Sequence, residues 1–166
     1  MIVYSEYKDI YHCSYRIISI LKIIDSDIEF NKLKIIDFFL VFPSLVKEIS
    51  FPKQKGISLL KNESSANFDT YEIIPEKKQL FFEISPYQAQ AVTILKAKGI
   101  IIESNGNIYF NPDFTSESID KLLQSSKYIL DNFYVKLIKT LFNIEYFGGD
   151  GLKRRSGLLE YKYDAL

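Results

Sequence analysis

The sequence contains no tryptophan, and cysteine, histidine and methionine occur once each. Cys13 alone can form no internal disulfide, and a zinc site built on Cys13 and His12 would need carboxylates for its remaining ligands. The two residues are adjacent. On a helix their side chains point about 100° apart, whereas a nucleophile and its base must face each other. Charge of one sign is also missing: 21 Lys and Arg balance 21 Asp and Glu. Such a chain has no overall attraction to nucleic acid or to an anionic membrane. The longest apolar stretch, Ile35–Val46, is interrupted by Asp37, Pro43 and Ser44 and falls short of the ~20 residues of a membrane span. Met1–Asp9 carries two acids and no basic segment followed by an apolar run, so no secretory leader is expected. These absences argue against a disulfide scaffold, a metalloenzyme and a membrane protein, and they predict a cytoplasmic chain with no cofactor.

What is present is a globular composition. Apolar residues make up 47% of the 166, and a chain of this length can bury roughly 68–70% of its unfolded surface. Ile10, Tyr11, Ser14, Ile17, Ile18, Leu21 and Ile24 recur at spacings of three and four, which predicts a helix over 9–24 that ends at Asp25-Ser26-Asp27. Leu33, Ile36, Asp37 and Leu40 predict a second helix over 30–42, stopped by Pro43, which can itself open a short third helix to Ile49. Phe51–Tyr71 is rich in Lys, Ser and Asn with little periodicity and reads as a surface connection.

Ser85 and Pro86 have the chemistry of a helix start, and Gly99 that of its end. Ile100–Ile102 and Ile108–Phe110 flank Asn105-Gly106, a strong hairpin signal. A helix followed by a hairpin predicts an α+β, mainly helical, winged-helix-like domain in which the hairpin is the wing and 86–98 the recognition helix. Ile119, Leu122, Leu123, Ile129, Leu130, Phe133, Leu137, Ile138 and Leu141 then predict one long helix over 118–142, packed on its own core or on another subunit. The expected organisation is a single domain over 1–147 and a C-terminal tail over 148–166.

Direct reading of DNA needs Arg, Lys, Asn or Gln on the recognition helix and basic residues around it. The candidate helix offers Gln88, Gln90, Lys96 and Lys98, and the wing Glu103-Ser104-Asn105-Gly106-Asn107 is acidic. Protein docking fits this surface better than DNA does. Arg16 and Asp37 each interrupt an apolar run, where a lone charge is costly. Either they meet as an ion pair across the first two helices or each faces solvent at the edge of its stripe.

Gly148-Gly149-Asp150-Gly151 precedes a basic cluster but lacks the spacing and strand-to-helix setting of a phosphate-binding loop. It reads as a joint for the tail. Leu152, Lys153, Arg154, Arg155, Leu158, Leu159, Tyr161 and Tyr163 combine apolar anchors with cations, the residues of a docking element. The alternative is that the tail folds back on its own core.

Four blocks together resemble a known family: Tyr4-Ser5-Glu6 with Asp9–Ile18, Leu33–Pro43 with Lys34 where an arginine is expected, Gln88–Ile101, and Gly151–Leu158 with Tyr161-Lys162-Tyr163-Asp164. Their order is similar to that of the middle components of ABC-three-component systems, Lamassu-like systems among them. The resemblance implies a non-catalytic bridging subunit. Its partners would be an SMC/Rad50-like ATPase and an effector, often a nuclease, acting in bacterial defence against phages or plasmids. DNA would be contacted weakly or indirectly. The competing expectation is a stand-alone winged-helix DNA-binding regulator.

Overall fold

A computed structural model of the chain describes residues 5–51, 57–68 and 76–159. After a 3-10 turn at Glu6–Lys8, helix α1 spans Ile10–Ile24. The Asp9 carboxylate caps it, accepting from the backbone N–H groups of Tyr11 (2.7 Å) and His12 (3.2 Å). Asp25 closes it in the left-handed region, φ 47°. A two-residue strand, β1 (Ile28–Glu29), leads into α2 (Phe30–Val41), and Pro43 opens a 3-10 helix over Pro43–Glu48.

Helix α1 lies at the centre and packs against α2, against α4 (Lys77–Ala97), and against α6 (Lys127–Leu130) and α7 (Asn132–Phe142). The core between them is aliphatic and phenylalanine-rich, with Ile17, Ile20, Ile35, Ile36, Phe38, Phe39, Phe81 and Ile84 fully buried. The fold is thus mainly helical with a small antiparallel sheet. Strands β2 (Ile101–Ser104) and β3 (Asn107–Phe110) form the hairpin, and β1 adds to β3 through Ile28↔Ile108, giving the order β1-β3-β2. Asn105 (φ 52°) and Gly106 (φ 79°) carry the turn in the left-handed conformations that a two-residue hairpin loop requires.

Three expectations are corrected. The surface connection over 51–71 contains a helix, α3 (Ile57–Phe68); residues 52–56 and 69–71 lie outside the described residues. Its inner face is Ile57, Leu60 and Ser64, with the Ser64 hydroxyl donating to the Pro43 carbonyl (2.6 Å) and Phe68 stacked near Phe133 and Tyr134. A serine at a core position hides the helical period from any count of apolar residues.

The helix expected to begin at Pro86 begins nine residues earlier, and Pro86 sits inside α4. The ring lies on the exposed side, so the Phe82 carbonyl that loses its N–H partner is at the solvent face, where water can satisfy it.

The single helix expected over 118–142 is three: α5 (Glu117–Gln124), α6 and α7. Ser126 and Asp131 adopt extended conformations between them. The buried Ser126 hydroxyl meets that of Ser19 at 3.0 Å, and Asp131 caps α7 by accepting from Phe133 N–H (2.8 Å). At the second break the Asp131 side chain bonds the backbone of α7, whereas at the first the Ser126 hydroxyl is engaged by Ser19 of α1.

The chain ends, within the described residues, with α8 (Leu152–Ser156), which packs on α2. Tyr146, Leu152 and Leu158 belong to the same core as α1 and α2, so residues 148–159 continue the packed unit.

Candidate functional site

The first polar cluster is internal. Arg16 on α1 and Asp37 on α2 are both fully buried, and they face one another. Arg16 Nε donates to Asp37 Oδ1 at 2.6 Å and Nη2 to Oδ2 at 3.2 Å, a bidentate fork. Gln88 on α4 joins them. Its Nε2 donates to Asp37 Oδ2 (2.8 Å) and to the Lys34 carbonyl (3.0 Å), which fixes the amide's orientation and leaves Gln88 Oε1 buried with no partner. Gln88, expected to face a nucleic acid, therefore points inward and ties α4 to α2.

Burial lowers the pKa of Arg16, but the Asp37 carboxylate raises it further, so the guanidinium stays charged. Cys13 lies 3.9 Å from Asp37 Oδ2. Burial first, and then the Asp37 charge, push its thiol far above the usual range. A thiol held protonated is no nucleophile, and the adjacent His12 is exposed while Cys13 is not. This centre ties three helices together. Among the described residues no group of three or more His, Cys, Asp or Glu could hold a metal ion, and no helix is long and apolar enough to cross a membrane.

The second cluster is the glycine-rich joint. Gly148 has φ +93°, and a Cβ on Gly151 would lie 2.2 Å from the Phe147 carbonyl oxygen, so the loop closes only around a glycine there. Arg155 fastens it. Its Nη2 donates to Asp150 Oδ1 (2.6 Å) and its Nη1 to the Ser50 carbonyl (2.7 Å), while Ser50 N–H returns a bond to the Arg155 carbonyl (3.0 Å). Arg154 Nη1 reaches the Gly149 carbonyl (2.7 Å).

The docking element expected here is divided by this clamp. Leu152 and Leu158 are fully buried in the chain's own core, so neither is available to a partner; Leu159 and Lys153 are half-buried and Arg154 is exposed. Tyr161 and Tyr163 lie outside the described residues. The joint nonetheless borders a cleft of about 810 Å³ between α3, α7 and residues 143–151, with Phe147 exposed beside it.

The third feature escaped the sequence. Along its outer side α4 presents Phe82, Pro86, Ala89, Gln90, Thr93, Ile94 and Ala97 to solvent, Phe82 at 64% exposure. None is charged. At the borders of this face Glu83 pairs with Lys8 (3.5 Å) and Lys96 with Glu103 of the hairpin, and Lys98 is exposed just past its C-terminal end. The expected helix start at Pro86 removed Phe82 from view. The signal that could have found the face is the four-residue spacing of Phe82, Pro86, Gln90 and Ile94 once the helix is extended backward.

A family model described as ABC-three component (ABC-3C) system Middle Component 5 matches residues 2–164. No curated protein and no solved structure matches the chain.

Proposed function

The chain belongs to the Middle Component 5 family of ABC-three component systems, and from that premise we propose that it is a non-catalytic assembly subunit holding an SMC/Rad50-like ATPase and an effector together in a bacterial defence complex, of Lamassu-like type, in the cytoplasm. The observation that carries this reading is the uncharged outer face of α4. The element order α1-β1-α2, then α4-β2-β3, with a sheet ordered β1-β3-β2, suits a winged helix in which α4 occupies the recognition position and the β2–β3 hairpin is the wing. A winged helix that reads DNA needs cations and amides on that helix. Here Gln88 is turned inward, Lys96 is engaged by Glu103 and Gln79 by Glu83, which leaves Gln90 on the outer face and Lys98 just past its C-terminal end. Phosphates would find little to hold, whereas a protein surface would find an apolar, pre-formed platform. Fold alone does not decide function; the side chains on this face are what supports the docking reading.

Reconstitution tests the reading. The chain co-expressed with the ATPase and effector components encoded beside it is expected to co-purify with both, and its omission to separate them. Binding of the isolated chain to a defined duplex with a Kd near ~10⁻⁸ M at physiological salt, without association with either component, would replace this reading with that of a DNA-binding regulator.

A further inference from the structure

We infer that α4 is two units joined at Pro86: the segment 77–85 opens and closes on the core by itself, while 86–97 stays pinned. This goes beyond the assembly reading and does not depend on it. The first segment is weak at both ends. Glu76 at the N-cap makes no side-chain hydrogen bond to the helix, and its charge there is opposed by two cations, Lys77 and Lys78. At the other end Pro86 removes the N–H that would bond the Phe82 carbonyl, and its ring crowds that carbonyl. One residue earlier the Ser85 hydroxyl donates to the Phe81 carbonyl (2.7 Å), a back-bond that competes with the helical backbone. So short a piece does not hold a helix alone, since isolated helices under ~12–15 residues are marginal in water.

Tertiary contacts keep this segment in place. Leu80, Phe81 and Ile84 are buried, with Phe81 edge-on to Phe38 of α2 at 5.8 Å. Its ionic ties, Glu83 with Lys8 (3.5 Å) and Lys77 with Glu48 (3.3 Å), are part-exposed and add little. The second segment is fixed at both ends. Gln88, two residues past the proline, bonds Asp37 and the Lys34 carbonyl of α2. At the far end the Gly99 N–H bonds the Lys96 carbonyl (2.9 Å) and the Ile100 N–H the Leu95 carbonyl (3.0 Å), which closes the helix. Asn111 Nδ2 donates to the Gly99 carbonyl (2.8 Å) and ties that end to the hairpin. Ser85-Pro86 is moreover a good helix start in its own right, a capping residue followed by a proline at the first helical position. When 77–85 unwinds, a well-formed helix therefore remains behind it. Opening uncovers Phe38 on α2 and releases Lys8 and Glu48, while the hairpin keeps its place.

Residue-resolved hydrogen exchange on the full chain tests this. In the wild type, amides 81–85 are expected to exchange on the order of 100-fold faster than amides 90–95. Pro86→Ala restores the missing donor to the closed form and should slow amides 81–85 by about tenfold or more. Ala91→Gly lies in the pinned segment, which is helical in the open and the closed form alike. It should speed amides 90–95 about tenfold and leave amides 81–85 unchanged. Equal protection along α4 in the wild type would overturn the inference. So would Ala91→Gly speeding both sets alike, because α4 would then unfold as one unit. Amides 81–85 exchanging at the wild-type rate in Pro86→Ala would place the weak point elsewhere and overturn it too.

Discussion

The two sides of α4 invert the usual rule. Its inner face buries an amide, Gln88, against an ion pair, while its outer face leaves a phenylalanine 64% exposed. An isolated amphipathic helix would do the reverse. The inner polar group is held because Arg16 and Gln88 both donate to Asp37 in one arrangement of α1, α2 and α4, which fixes the registry of the three helices even though Gln88 Oε1 is left without a partner. The outer apolar groups have no counterpart within the described residues, and their cost in water is offset only if something covers them. The lesson is that polarity inside ties the helices of this fold together, and apolarity outside marks the surface proposed for a partner.

The sharpest way to break the comparison is at its inner side. Asp37→Ala strands a buried guanidinium and is expected to destabilise the fold by about 3–5 kcal/mol in urea unfolding. A loss below about 1 kcal/mol would mean the centre is not specifying the packing. The joint comes next. Gly151→Ala forces a methyl group against the Phe147 carbonyl and should cost about 1–3 kcal/mol, lowering Tm while leaving the α1–α2–α4 contacts in place.

A smaller effect is set by pH. The pKa of Cys13 is raised from its ordinary 9.0 by burial, so the unfolded chain loses that proton before the folded one does. The stability this group contributes is complete below pH 9 and declines as pH rises above it, with a slope of up to about 1.4 kcal/mol per pH unit. Tyr128 and Tyr134, also raised by burial, add the same trend above their ordinary 10.0. Cys13→Ala should therefore move the onset of alkaline destabilisation from near 9 to near 10. An unchanged onset would place the thiol in a wetter setting than its burial implies. The smallest effect belongs to the outer side: Phe82→Ala should change the stability of the isolated chain by less than about 0.5 kcal/mol.

The parts of the fold written in local chemistry were legible. Asp25-Ser26-Asp27 and Pro43 announce the ends of the first two helices, and Asn105-Gly106 announces the hairpin. Arg16 and Asp37 drew notice as charges inside apolar runs, and the ion pair between them was one of two open arrangements. What escaped depends on tertiary context. Strand β1 is two residues long and exists because β3 pairs with it. Helix α3 places a serine where a core aliphatic would be sought, because the Pro43 carbonyl waits there. Continuity through Pro86 depends on which side of α4 the ring faces, and that side also holds the exposed uncharged face, so one wrong boundary concealed both. The tail's anchors were recognised as residues that leave water; whether they went to a partner or to the core could not be read from their types, and Leu152 and Leu158 went to the core.

The account stands most directly on the outer side of α4 being covered by protein in the assembled system. Hydroxyl-radical footprinting of the chain, alone and within the three-component complex, measures that side chain by side chain, with Tyr11, 86% exposed on α1, as the reference. Phe82 and Ile94 are expected to lose most of their reactivity on assembly. Phe82 and Ile94 reacting as fast in the complex as in the free chain would contradict the account.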